Sequence, residues 1–121
     1  MSYDDNNIFA KILRGEIPCN KIYEDDFVLS FHDINPQKKI HALVIPKGKY
    51  IDLDDFSQNA SSEEMVGLLK GINTVAKKLG ISVDIGKGYR ALSNISEDGG
   101  QEVPHLHFHL FGGEKVGKMV S

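Results

Sequence analysis

His105-Leu106-His107-Phe108-His109-Leu110-Phe111 sets three histidines at alternate positions near the end of a 121-residue chain. In extended backbone, successive side chains point to opposite faces. The three imidazoles therefore line one face, while Leu106, Phe108 and Leu110 line the other and can pack in a core. Imidazole is the side chain whose ordinary pKa lies nearest neutrality, so the cluster points to nucleophilic, acid–base or metal chemistry. A polar strand facing water is the plain alternative.

The segments before this strand read as four more strands and two helices. Gly86 and Gly88 precede a fourth strand, Tyr89-Arg90-Ala91-Leu92-Ser93, and Glu97-Asp98-Gly99-Gly100-Gln101 reads as a flexible turn into the histidine strand. Ser61 and Glu64 match a capping box, opening a long amphipathic helix whose apolar side carries Met65, Leu68, Leu69, Ile72, Val75, Ala76 and Leu79. Gly80 is its expected stop. Near the N-terminus, Asn6 or Asn7 can cap a short helix with Ile8, Phe9, Ile12 and Leu13 at helical spacing, ended by Gly15 and Pro18. Lys21-Ile22-Tyr23 and Phe27 to Phe31 flank Glu24-Asp25-Asp26 as a hairpin, and Ile40 to Ile45 forms a third strand ending at Pro46. Residues 47–60 read mostly as loop. The expectation is one α+β domain over residues 1–121, an antiparallel five-strand meander packed on helices.

Composition narrows the setting. A hydrophobic fraction of 40% with 26% charged residues is that of a soluble globular chain. A net charge of −3 argues against broad nucleic-acid binding through phosphates, while leaving a small anion pocket open. Cys19 is the single cysteine, so no internal disulfide can form and a reducing, cytoplasmic setting is expected. The acidic, polar start from Met1 to Asn7 is unlike a targeting peptide, and no apolar run reaches membrane-spanning length.

A His-x-His-x-His strand can bind zinc, yet alternate residues on a straight strand lie about 6.5–7 Å apart. With bonds of about 2.0–2.1 Å, one ion joins neighbours in the triplet but hardly its two ends. No Cys-x-x-Cys pair offers further ligands. Nucleophilic catalysis fits the spacing better: His107 attacks phosphorus, with His105 and His109 flanking it, and a covalent intermediate divides one displacement into two. Backbone N–H groups of Gly99-Gly100-Gln101 can cradle phosphate oxygens, or the pair of glycines can be only a loop. His32 and His41 can each be ordinary structural histidines. Asp33 can cap a turn or accept from sugar hydroxyls, and Asn94 can serve a turn.

The strand from His105 to Phe111 fits every position of the histidine triad pattern, His-hydrophobic-His-hydrophobic-His followed by two hydrophobics. The chain resembles that family over nearly its whole length. It is most similar to the purine nucleoside phosphoramidase branch, especially its bacterial members. The segments that carry the likeness are Ile8 to Ile12, Gly15 to Pro18, Phe31 to Gln37, His41 with Val44-Ile45-Pro46, Gly88-Tyr89-Arg90 and Gly99 to Val103.

The resemblance implies a homodimer with two five-strand sheets joined and a purine nucleoside monophosphate pocket on each subunit. His107 corresponds to the nucleophile, His109 to the member near phosphate and leaving group, His105 to the supporting member, and His41 to a further orienting histidine. Asp33 falls where ribose hydroxyls are bound, beside His32 and next to Ile34 against the base. Ile8, Phe9, Ile12 and Phe31 resemble the apolar base pocket, and Asn94, Gly100, Gln101 and Glu102 the phosphate-side loop. The implied reaction is hydrolysis of adenosine or guanosine 5′-phosphoramidates, with aminoacyl adenylates also acceptable, and with no metal or organic cofactor. Hydrolysis of dinucleoside polyphosphates and a non-catalytic nucleotide-binding adaptor are the alternatives. Some relatives bind structural zinc partly through a Cys-x-x-Cys, and Asn7 and Ala10 stand at the corresponding positions here. Glu114 replaces an Arg usual after the Gly-Gly pair, in a tail (Glu114 to Ser121) that in relatives runs near the partner's active site.

Overall fold

The computed structural model describes residues 2–120; Met1 and Ser121, the outer ends of the acidic start and of the tail, lie outside the described residues. The elements follow in the order α1 (Ile8–Leu13), β1 (Lys21–Glu24), β2 (Val28–His32), β3 (Ile40–Pro46), α2 (Leu53–Asn59), α3 (Ser62–Lys78), β4 (Arg90–Leu92) and β5 (Phe108–Gly112). All strand pairs are antiparallel, and the five strands lie in the order β1-β2-β3-β5-β4.

The α+β class and five antiparallel strands are as the sequence predicts. The meander holds for β1 to β3 only, because β5 inserts between β3 and β4 and leaves β4 at the edge. Leu110 is fully buried on one face and His109 part-buried on the other, and β5 pairs along one edge with β3 and along the other with β4. The Leu53–Asn59 stretch is a second short helix rather than loop. Asp52 caps it by accepting from the Asp55 N–H at 2.8 Å, and its only buried residue is Phe56, too few to leave a periodic signal.

Local chemistry sets the other boundaries. Asn7 caps α1 through the Ala10 N–H at 2.9 Å. Asp25 closes the β1–β2 hairpin by accepting from Phe27 and Val28 N–H at 2.7 and 2.9 Å. The Ser61–Glu64 capping box forms in both directions, and Gly80 at φ +74° ends the chain's departure from α3.

The sheet is covered on both faces. One core joins Val28, Val44, Leu68, Ile72, Val75, Leu106 and Leu110 beneath α3; the other joins Phe9, Leu29, Phe31, Leu43 and Ile45 beneath α1. Helix α3 approaches closely at Gly67 and Gly71, where an added Cβ would come within 2.5 Å of the Phe27 side chain and 2.8 Å of Val28. A fully buried leucine contributes about 2–3 kcal/mol, so Leu106 and Leu110 anchor the histidine segment from the α3 side. Its imidazoles then face the α1 side.

Candidate active site

Only His109 of the three histidines lies within the β ladder, opposite Leu43 on one side and Leu92 on the other. The expected strand begins late, at Phe108. Residues 105–107 lie outside the ladder, with His105 at a bend, and their bonds go elsewhere: the Leu106 N–H donates to Tyr50 O at 2.8 Å, and the His107 carbonyl accepts from the Ser93 hydroxyl at 2.7 Å. Pro46, at the end of β3, has no N–H to offer, and its carbonyl accepts from Nε2 of His105 at 2.8 Å.

These contacts fix the protons. A carbonyl can only accept, so the 2.7 Å bond between Nδ1 of His107 and the His105 carbonyl places the proton on Nδ1. Nε2 of His107 is then a lone pair. At His41, the Gln37 N–H donates to Nδ1 at 3.1 Å, so Nε2 carries the proton and donates to Nδ1 of His109 at 2.9 Å. His109 in turn carries its proton on Nε2. Among the described residues no buried side-chain nitrogen or oxygen lacks a partner. The Nε2 atoms of His107 and His109 have none, so both open on the cleft. One presents a lone pair and the other an N–H, with ring centroids 5.1 Å apart.

Burial keeps these imidazoles neutral. Desolvation is the leading cause at all four, lowering His41 and His107 below the ordinary value and holding His105 and His109 at about 4. At His109 the neighbouring His107 and His41 add to the depression; at His107 the His105 carbonyl, Asp33 and Glu102 partly oppose it. The rings are packed as well: Phe9 meets His107 edge-on at 5.0 Å, and Phe111 lies 4.2 Å from His41.

The cleft holds about 660 Å³, the size of a nucleotide or similar ligand. Its lining includes Ile8, Phe9, Ile12, Phe31, His32, Asp33, Ile34, His41, Asn94, Gly100, Glu102, His107 and His109. A larger and more open recess, along Gly80–Arg90 and Gly113–Gly117, contains no histidine. Asp33 accepts from the Asn35 N–H at 2.8 Å and lies 3.4 Å from Nε2 of His41, leaving carboxylate lone pairs toward the cleft.

Two expected residues fall outside the lining. His105 is fully buried behind His107. Gln101 is turned into its own loop: Oε1 accepts from the Ser96 N–H at 2.9 Å, and Nε2 donates to Ile51 O at 2.6 Å and Val103 O at 3.0 Å. The glycine-loop cradle needs correcting too, since the Gly100 and Gln101 N–H groups already donate to Glu97 O and Ser96 O within the turn. On this loop the Asn94 and Glu102 side chains and the Gly100 backbone line the cleft. Glu114 accepts from the Lys39 N–H at 2.6 Å and does not line the cleft. Sequence reading missed Ile17, Pro18, Cys19, Asn20, Asn35, Gln37, Leu43 and Val103 along the cleft. Gln37, directly after Asn35-Pro36, lay within the Phe31 to Gln37 likeness, but that turn and that likeness gave it no role.

Asp33, His41 and His109 each offer a donor atom within 4.8 Å of the others, the one trio among the described residues able to approach a cation. A cation there would need the Nε2 lone pair of His41, and that atom holds the proton shared with His109.

The model of the HIT domain family matches residues 14–116. An uncharacterized HIT-like protein of Azospirillum brasilense is 53% identical over 120 residues, 99% of this chain and 96% of that protein. The purine nucleoside phosphoramidase of Escherichia coli K12 is 40% identical over 118 residues, 97% of this chain and 95% of its own. A solved HIT family hydrolase from Clostridium thermocellum superposes with a TM-score of 0.85 at 37% identity, covering 98% of this chain and 99% of that one.

Proposed function

The chain belongs to the HIT domain family, and on that premise we propose that it is a purine nucleoside phosphoramidase working through a nucleotidylated histidine. The observation that carries this reading is the pairing of tautomers: a lone pair on Nε2 of His107 beside an N–H on Nε2 of His109.

In the proposed reaction Nε2 of His107 forms a bond to the α-phosphorus as the phosphorus–nitrogen bond breaks. The nitrogen takes one proton from solvent in the open cleft and leaves as an amine. His109 donates a hydrogen bond to it as charge develops, because an unprotonated amine leaves poorly. Water then attacks phosphorus as the phosphorus–Nε2 bond breaks, which frees His107 and the nucleoside monophosphate, and the proton that this water gives up replaces the one taken by the amine.

The nucleoside fits the opposite end of the cleft. Ile34 is 88% exposed and Ile8 42%, an unusual exposure for such side chains beside a polar site, and a purine between them would cover both. Asp33 receives the ribose hydroxyls, and Asn94, Gly100 and Glu102 flank the phosphate. Gln101 serves this binding by holding the loop. The same proposal includes a homodimer joined through the exposed edge of β4, with a mass near twice 13.4 kDa in sedimentation, and a cytoplasmic setting.

Turnover of a fluorogenic adenosine phosphoramidate measured against a diadenosine polyphosphate tests the substrate class. The phosphoramidate is expected to be hydrolysed faster. A preference for the polyphosphate moves the assignment to that branch, and turnover of neither makes the protein a binding adaptor.

A further inference from the structure

His105 presents a problem that the catalytic scheme leaves unsolved. Its side chain is fully buried, and its Nε2–H is given to Pro46 O, so Nδ1 holds a lone pair with no access to water. A buried acceptor left without a donor is costly. The donor comes from 102 residues away: the Tyr3 hydroxyl lies 2.5 Å from Nδ1, with the phenol ring edge-on to the imidazole at 5.6 Å.

The two residues that follow Tyr3 are held from several sides. Asp4 accepts from the Asn7 side chain at 2.8 Å, making a tight turn into α1. Asp5 pairs with Lys49 at 2.7 Å, and its carbonyl accepts from Arg14 at 2.8 Å. The segment before α1 is therefore tied to the helix and to the chain just after β3. Burial raises the Tyr3 hydroxyl above its usual pKa, which keeps it a donor. The carbonyl of His105 is the acceptor for Nδ1–H of His107, so whatever orients His105 also orients the ring beside it.

We propose that Tyr3 is a positioning residue for His107, acting through the buried imidazole of His105. The proposal rests on the reading of His107 as nucleophile. In this chain the polypeptide preceding α1 is then part of the catalytic apparatus, although it lies outside the matched family region of residues 14–116.

Tyr3→Phe keeps the ring and removes only the hydroxyl. Long-range ¹H–¹⁵N spectra of the free protein should show His105 as the Nε2–H tautomer held by Pro46 O in both proteins, with its Nδ1 signal moving downfield in Tyr3→Phe as the lone pair loses its donor. The rate of nucleotidyl-enzyme formation should fall about tenfold, the change that one net hydrogen bond supplies, with adenosine monophosphate binding held within about twofold. Unchanged His105 and His107 spectra with an unchanged rate would overturn the proposal, whatever happens to the melting temperature. Failure of wild type to form any nucleotidyl intermediate overturns the reaction instead, and the Nδ1 signal of His105 then decides the Tyr3 link by itself.

Discussion

Nε2 of His41 donates to Nδ1 of His109 across 2.9 Å, joining the second residue of β3 to the second residue of β5. The bond is one link of a directed series that begins at the Gln37 N–H and ends at an N–H on the cleft. Its direction is set by a backbone donor that cannot reverse.

Removing His41 should therefore damage chemistry more than binding. In His41→Ala, Nδ1 of His109 loses its donor, and the ring is free to carry its proton there instead of toward the cleft. The expected loss in kcat is about 10–100-fold, in the range of a misdirected acid–base group, with KM little changed. Steady-state kinetics on an adenosine phosphoramidate decide it; a rise in KM with kcat intact would assign His41 to binding.

Stability should fall on mild acidification. Burial holds His105 and His109 at about 4, against about 6.5 in an unfolded chain. The unfolded chain thus takes up more protons as pH drops below 6.5, and stability is lost until about pH 4, where the loss levels off. For His105 alone the total is about 3 kcal/mol. Carboxylates act lower: hydrogen bonds from Lys47 and Lys21 hold Glu24 at about 2, so its contribution disappears only below its ordinary value of 4.5. Urea unfolding at pH 7, 5.5 and 4.5 isolates the histidines, and a flat midpoint across that range would contradict neutral burial.

Gln101 offers a test of the loop. Gln101→Ala leaves Ser96 N–H, Ile51 O and Val103 O without their side-chain partner. The expected cost is about 1–3 kcal/mol of stability with a raised KM for nucleotide substrates. Glutamate should fail to restore it, because it cannot donate to the two carbonyls. Hydrogen exchange of residues 94–103 would register the loosened loop, and unchanged protection there would remove Gln101 from this role.

Close packing at Gly67 predicts that alanine there destabilises the protein despite its better helix propensity. An added methyl 2.5 Å from the Phe27 ring must push strand and helix apart. Overpacking of this kind costs about 1–3 kcal/mol, more than the gain of about 1 kcal/mol from replacing a helical glycine. A higher melting temperature for Gly67→Ala would show that Phe27 yields.

What could be read from sequence was local. The alternation from His105 to Leu110, the Ser61–Glu64 box and the Asp25 hairpin each depend on residues a few positions apart, and each forms. The place of β5 between β3 and β4 depends on pairing with Val44 and Leu92, which spacing does not encode. The Gly100 and Gln101 N–H groups looked available because their partners, Glu97 O and Ser96 O, belong to a turn whose closure only coordinates reveal. Tyr3 carried no signal at all, since its one decisive contact is with a residue at the other end of the chain.

The central claim is that His107 becomes covalently nucleotidylated through its unprotonated Nε2. Rapid quench of wild type with adenosine phosphoramidate labelled at phosphorus, followed by peptide mapping, measures this directly. The account predicts label on His107 within the first turnover, and none on His107→Gly, which should still bind adenosine monophosphate through Asp33 and the apolar cleft. Substantial turnover by His107→Gly, or label trapped at any other residue, would contradict it.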